Sequence, residues 1–259
     1  MGALRKVYNL SRLAGFDPVR MARTLRGVPR YLSDVRKYKS AANGGNFGFR
    51  WSNAKPFLAD YFDDAGSAGG HYFYQDIWAA RKILQARPSR HIDIGSRIDG
   101  FIAHVLVFMP VEVIDIRPLS STIPGVTFRQ ADATNLDGIL ADSVESLSCL
   151  HAIEHFGLGR YTDPVDPNAC FAAMKAMQRV LGIGGRLYFS TPIGRERVEF
   201  NAHRVFNPET ILKAFDRLQL VSFGAVDDAG SLIEAADYRQ YADSYFACGL
   251  FEFTKPERA

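Results

Sequence analysis

The segment His91-Ile-Asp-Ile-Gly-Ser-Arg-Ile-Asp-Gly100 reads as a short buried strand that runs through a glycine turn into a helix. Gly95 supplies the tight turn, and Gly100 lets the following helix come close to the sheet. Outward from this turn, apolar runs of strand length recur at 91–94, 111–114, 126–128, 144–150 and 186–190, with helical or loop stretches between them. That alternation predicts parallel strands joined by right-handed crossovers, hence an α/β, doubly wound sheet. A helix over 208–218 and two strands, 220–225 and 246–253, follow. A turn-rich stretch and a short helix over 231–238 separate those two strands, which predicts an antiparallel pair. In an open parallel sheet, ligands bind beyond the carboxyl ends of the strands, where the order reverses beside strand 1.

The side chains around the turn restrict which ligand fits there. On the dinucleotide fingerprint G-x-G-x-x-G, Gly95 and Gly100 take the outer positions, but Arg97 takes the middle one. A side chain at that point obstructs the close backbone approach a pyrophosphate needs, which argues against NAD or FAD. Asp115 ends the second strand, about 20 residues beyond Asp93, where a carboxylate can accept hydrogen bonds from two ribose hydroxyls. Asp132 follows the third strand in Arg129-Gln-Ala-Asp-Ala133. One Asp at a strand end is often a helix cap. Three at consecutive strand tips are harder to explain that way.

The series Asp93-x-Gly95, Asp115, Asp132-Ala133 and Leu150-His-Ala-Ile-Glu-His155 resembles motifs I to IV of class I S-adenosylmethionine-dependent methyltransferases, over roughly residues 70–254. More narrowly, His71-Tyr-Phe-Tyr-Gln-Asp76, Asp115-Ile-Arg-Pro118 and Glu154-His-Phe-Gly-Leu-Gly-Arg-Tyr161 resemble a bacterial branch associated with surface-glycan synthesis. The resemblance implies a Rossmann-like seven-stranded sheet in the order 3-2-1-4-5-7-6, strand 7 antiparallel, with S-adenosyl-L-methionine as cofactor. It implies that Asp93 and Gly95 lie against the methionine part, with Ser96 and Gly100 in the same loop. Asp115, with Ile116 beside it, would bind the ribose, and Asp132 with the Ala133 amide would read the adenine. His151 would border the cofactor, and Gln75, with His71 and Tyr74, would cover it if their segment folds back as a lid. The chain departs from the family's E/D-x-G-x-G-x-G loop at Ser96, Arg97 and Asp99.

His151, Glu154 and His155 spell H-x-x-E-H, which on a helix places two imidazoles one turn apart for zinc, with the Glu as base. No third ligand lies at a motif distance and the motif follows strand 4 directly, so no metal is expected. Methyl transfer needs in-line alignment and, for a hydroxyl acceptor, a base. Histidine has the right pKa for that near neutrality. His155 and, from beyond strand 5, His203 are the candidate bases, with His151 and Glu154 beside them. Glu154 and His155 can equally be structural, closing the floor of the site by hydrogen bonds. The loop over 157–167 carries Arg160, Tyr161 and Asp163, which with Arg204 suit a polar, polyhydroxylated or anionic acceptor. An ordinary capped turn is the competing reading. His104, Cys149, Met174 and Met177 read as core.

At 259 residues, 47% hydrophobic and 23% charged, the chain has the proportions of one main globular domain, expected over 71–259. Residues 1–70 read as a basic helical extension and linker. Residues 1–40 hold ten Lys or Arg against Asp17 and Asp34, a segment of +8 within a net charge of +3. Such an arm can rest on an anionic membrane face, a phosphorylated glycan or nucleic acid. Nucleic acid is least favoured, because the arm has no Gly-rich or aromatic-interleaved pattern and the rest of the chain is acidic. The competing reading is a solvated helical face packed by its Arg stems. Asp17-Pro18 predicts a helix start and Gly27-Val-Pro29 its end, with a flexible break over 42–46 and a loop over 64–70. A helix over 74–86 then carries Ile77, Ala80, Ile83 and Leu84 on one face.

No run approaches the roughly 18 apolar residues of a membrane-spanning helix, and no apolar secretory segment is seen. Cys149, Cys170 and Cys248 stand at unrelated spacings and make neither a disulfide framework nor a zinc site, so a reducing, cytoplasmic setting is expected. O-methylation of a sugar, glycan or other polar small molecule is the leading expectation. A non-catalytic cofactor-binding or scaffold protein of the same fold is the alternative.

Overall fold

A computed structural model of the chain describes residues 15–42, 47–63, 66 and 68–257, together with Tyr8 and Ser11. The chain divides into two compact units, Met1–Ser67 and Ala68–Ala259. In the first, Asp17 caps helix α1 (Pro18–Ala41) by accepting from the amides of Val19 and Arg20, with Pro18 in the first turn. The stop expected at Gly27-Val-Pro29 does not occur, and α1 runs on through Pro29 for 24 residues. Proline removes one main-chain bond from the ladder. Tight packing offsets that loss: Gly27 is buried so closely on Leu58 that an added Cβ would lie 2.1 Å from its carbonyl oxygen.

Several basic side chains of α1 are used inside this unit. Arg23 pairs with Asp63 at 2.8 Å, and Arg26 and Arg30 stack over Phe62 and Tyr61. Arg5, Lys6 and Arg12 lie outside the described residues, as does most of the expected break over 42–46 and part of the loop over 64–70.

The second unit is built on an eight-stranded sheet in the order β3-β2-β1-β4-β5-β10-β8-β9. Its strands are β1 (Ile92–Ile94), β2 (Val111–Asp115), β3 (Val126–Gln130), β4 (Val144–Leu150), β5 (Leu181–Ile193), β8 (Gln219–Val226), β9 (Leu232–Ile233) and β10 (Ala247–Thr254). β6 (Arg197–Glu199) and β7 (His203–Val205) form a separate hairpin. Strands β1 to β5 pair in parallel, and β10 is antiparallel to both β5 and β8. The Rossmann-like α/β sheet read from the sequence is therefore present, with β10 as its antiparallel strand. It differs in detail by the added edge strand β9, where the sequence predicts a short helix over 231–238. Leu232 and Ile233 instead pair with Val226 and Ala225, and a helical turn begins only at Tyr238–Tyr241.

β1 and β2 are buried almost throughout, as parallel strands covered on both faces must be. On one face lie α2 (Gly70–Ala86) and the short helical run of Ile98–Ile102 and α3 (Ala103–Val105), whose Trp78, Ile83, Phe101 and Val105 pack with Val113 and Leu250. On the other, α4 (Ala169–Val180) and α5 (Pro208–Ala214) bring Met174, Met177 and Ile211 onto Ile94, Leu147 and Phe189.

α2 starts four residues before the expected position, so His71 and Tyr72 are helical. Its buried face contains Gln75, Trp78, Ala79, Ala80 and Ile83, whereas Leu84 is 49% exposed. His104 is also exposed, contrary to its core reading, because its Nδ1–H donates to the Gly100 carbonyl one turn back at 2.8 Å. Cys149, Met174 and Met177 are in the core as expected. All three cysteines are free and buried, and no described helix is long and apolar enough to cross a membrane.

Candidate functional site

The turn after β1 is held by a chain of buried polar groups. Asp93, registered between Val113 of β2 and Ser148 of β4, is fully buried. It accepts from the Ser96 amide at 3.0 Å, the Ser96 hydroxyl at 2.7 Å and the Ser148 hydroxyl at 2.5 Å. Burial pushes its carboxyl up to about 6, against the pull of those bonds. Ser148 spends its proton on Asp93, so its oxygen accepts from His91 Nε2–H at 3.0 Å, which leaves His91 Nδ1 to accept from Ser146 at 2.8 Å. Burial takes the His91 ring down to about 3. Gly95 then turns with φ at 71°, and an added Cβ would lie 2.9 Å from that of Ala152. The close approach at Gly100 is to Asp76 of α2, whose Oδ2 would lie 2.6 Å from an added Cβ, and not to the sheet.

A cavity of about 470 Å³ opens at the carboxyl ends of β1 to β4. Of the expected cofactor residues, Gly95, Asp115, Ile116, Asp132, Ala133 and His151 line it. Asp93, Ser96, Gly100 and Gln75 do not line it; Asp93, Ser96 and Gln75 are buried. Gln75 accepts from the Ser190 hydroxyl at 2.5 Å and donates to Asp76 at 3.2 Å, while Tyr74 turns to the Ala68 carbonyl. Tyr72 is the residue of α2 that reaches this cavity.

Asp115 is held by Arg117 through its amide at 2.8 Å, Nε at 3.0 Å and Nη2 at 2.6 Å, and that guanidinium stacks over Tyr161. Asp132 accepts from the Thr134 amide at 2.8 Å. Arg97 lines the cavity too, paired with Asp99 at 2.9 Å and stacked over Tyr72.

A second cavity of about 360 Å³ shares Tyr72, His151 and His155 with the first. The H-x-x-E-H segment forms a single helical turn, Ile153–His155, entered from β4 through His151 in the left-handed region, φ 47°. The two imidazoles consequently gather around one carboxylate. His151 Nδ1 lies 2.8 Å and His155 Nε2 3.8 Å from Glu154 Oε1, which is itself buried. Burial alone would depress His151, but Glu154 and Cys248 outweigh it and hold the ring well above its ordinary value. Burial would likewise raise Glu154, and His151 outweighs it in the opposite sense.

His155 is lowered by burial despite Glu154, and its Nδ1–H donates to the Ala202 carbonyl at 2.6 Å, a carbonyl it shares with Arg160. His203 lies against Phe246 with Nε2 at 3.4 Å from Glu199, and burial lowers it as well. His71 stacks on Phe246 and is taken by burial, then by His151, down to about 4.

Arg160 lines the second cavity, and Tyr161 and Asp163 the first. Asp163 also shapes its own loop, accepting from the amides of Gly157, Gly159 and Tyr161. Arg204 lines neither cavity; its guanidinium holds the carbonyls of Phe156 at 2.6 Å and Pro167 at 3.4 Å. Sequence reasoning missed Tyr72, Arg117 and Phe246. Arg117 was open to discovery, two residues beyond a strand-tip Asp, whereas Phe246 enters only through the pairing of β10.

Residues 129–228 match a family described as Caenorhabditis protein of unknown function, DUF268. No curated protein matches the sequence. Among solved structures of similar fold, the [4+2]-cyclase SpnF aligns with a TM-score of 0.52 at 13% identity, over 92% of this chain and 97% of SpnF. The N-methyltransferase NodS from Bradyrhizobium japonicum, in complex with S-adenosyl-L-homocysteine, gives 0.49 at 15% identity over 79% of this chain and 94% of its own. The Burkholderia thailandensis 1,6-didemethyltoxoflavin-N1-methyltransferase gives 0.49 at 15% identity over 93% and 92%. The likeness to SpnF extends the fold assignment to nearly the whole chain. A likeness at this identity is one of fold alone, and the reaction must be argued from the site.

Proposed function

We propose that the chain is an S-adenosylmethionine-dependent methyltransferase acting on a polar small molecule, a sugar or glycan intermediate methylated on oxygen. The observation that supports this is the joining of the two cavities across Tyr72, His151 and His155, with strand-tip carboxylates on one side and histidines with Arg160 on the other. The residues of the larger cavity fit the cofactor. Gly95 makes the tight turn at the cavity wall, where a Cβ would press on Ala152, and Asp115, Asp132 and the Ala133 amide offer acceptors and a donor of the kind a ribose and an adenine need. When bound, S-adenosylmethionine supplies an electrophilic methyl group.

The chain's own residues then align the acceptor and take its proton. His155 commits Nδ1–H to Ala202, which leaves Nε2 to receive a proton, and Glu154 Oε1 at 3.8 Å stabilises the charge that results. His203 is the second candidate base, from the far wall of the smaller cavity. Arg160, Tyr161 and Asp163 meet hydroxyls or negative charge on the acceptor. Exposed basic residues of α1, such as Arg20 and Arg36, supply a contact with an anionic membrane face from the cytoplasmic side.

The test is transfer of label from methyl-labelled S-adenosylmethionine to fractions of a polar metabolite and glycan extract. The reading expects a labelled polar acceptor, with transfer lost in His155→Ala while S-adenosylhomocysteine still binds. Cofactor binding with no label transferred to any fraction would instead identify a non-catalytic binding protein.

A further inference from the structure

We propose that His71, His151 and Cys248 form a zinc site at the edge of the smaller cavity. One ligating atom from each of the three lies within 4.8 Å of the others. They come from α2, the turn after β4 and β10, so the fold, not local spacing, assembles them. His151 carries the argument. Its side chain is 5% exposed, and Glu154 occupies Nδ1 at 2.8 Å, which leaves Nε2 as the ligating atom. That Nε2 is buried and has no hydrogen-bond partner of normal geometry among the described residues.

A carboxylate behind a histidine fixes the ring and raises its basicity at the other nitrogen, the arrangement that supports metal-bound imidazoles. The Cys248 thiol interacts with this ring from β10. Two imidazoles and one thiolate are a borderline-soft set suited to zinc, and three protein ligands leave a fourth position open. His71 and His151 both border the smaller cavity, so that fourth position faces its occupant. Binding releases two protons to solvent, the thiol proton of Cys248 and the Nε2 proton of His151, and bonds from zinc to that sulfur and that nitrogen take their place. The proposal stands apart from methyl transfer, because none of its steps needs the cofactor.

The test uses tag-free, full-length protein stripped with a chelator, dialysed, and titrated with zinc against a chromogenic indicator. The expected result is uptake of equimolar zinc by the native chain, with at least a tenfold loss of affinity in His71→Gln and in Cys248→Ala. Because a buried Cys248 variant can misfold, cobalt(II) added to the native protein provides an independent readout. A thiolate-to-cobalt charge-transfer absorption is expected, abolished by one equivalent of zinc. S-adenosylhomocysteine binding measured on the same stripped protein keeps this result separate from that of the methyltransferase reading. Absence of stoichiometric zinc uptake, of the cobalt–thiolate band, or of any effect of His71→Gln would overturn the site.

Discussion

Replacing His91 by Gln should change the acid stability of this protein in a direction fixed by two buried groups. His91 is fully buried and neutral, and burial moves its pKa from the ordinary 6.5 to about 3. A depressed base contributes stability that is present above pH 6.5 and lost as pH falls through 3, because the unfolded chain binds the proton first. Three and a half pH units at about 1.4 kcal/mol each make that loss about 5 kcal/mol. Asp93 works the other way. Its pKa is raised from 3.8 to about 6, so its contribution is present below pH 3.8 and lost as pH rises through 6, a change of about 3 kcal/mol.

Between pH 6 and 4 the two slopes oppose each other, and the native protein draws little net pH dependence from the pair. His91→Gln, which keeps a donor and an acceptor for Ser148 and Ser146, removes one slope and unmasks the other. Urea unfolding at intervals from pH 7.5 to 4 measures this, since the exposed carboxylates cancel in the difference between variants. The stability gap between native and His91→Gln should shrink by about 1.4 kcal/mol per pH unit below 6.5. Parallel curves for the two proteins would refute the neutral, buried assignment of His91.

Gly95→Ala is expected to lower stability by about 1–3 kcal/mol, from left-handed strain and the squeeze on Ala152, read as a fall in the unfolding midpoint. Asp115→Asn should weaken S-adenosylhomocysteine binding at least tenfold, about 1.4 kcal/mol, by titration calorimetry with little change in the apoprotein midpoint. Glu252→Ala should cost about 3 kcal/mol in denaturant unfolding, because Glu252 is the shared partner of Lys82 at 2.8 Å, Arg186 at 3.2 Å and Ser222 at 2.7 Å.

The sheet was legible because its strands announce themselves singly. Parallel strands such as β2 and β4 read as short segments rich in Val, Ile and Leu, buried at nearly every position, and Asp115 marks where β2 ends. The short β9 carried no such signal; two residues pair with Val226 and Ala225 only because the preceding turn brings them back. Pro29 misled the reading of α1 because local chemistry predicts a stop that packing on Leu58 overrides.

At the site, Gly95, Asp115 and Asp132, each close in sequence to a strand tip, line the cavity as a group. Asp93 and Ser96 sit on the same turn but face inward, a distinction that depends on the hydroxyl of Ser148, 55 residues away. His71, Phe246 and Cys248 gather beside His151 from both ends of the unit, so no spacing rule could have joined them.

The central claim is that the cavity at the ends of β1 to β4 holds S-adenosylmethionine. Titration calorimetry of the native chain with S-adenosylhomocysteine tests it most directly. The account predicts saturable one-site binding in the micromolar range, about −7 to −8 kcal/mol, weakened by Asp115→Asn. Absence of binding up to about 1 mM ligand, or binding that Asp115→Asn leaves unchanged, would contradict it.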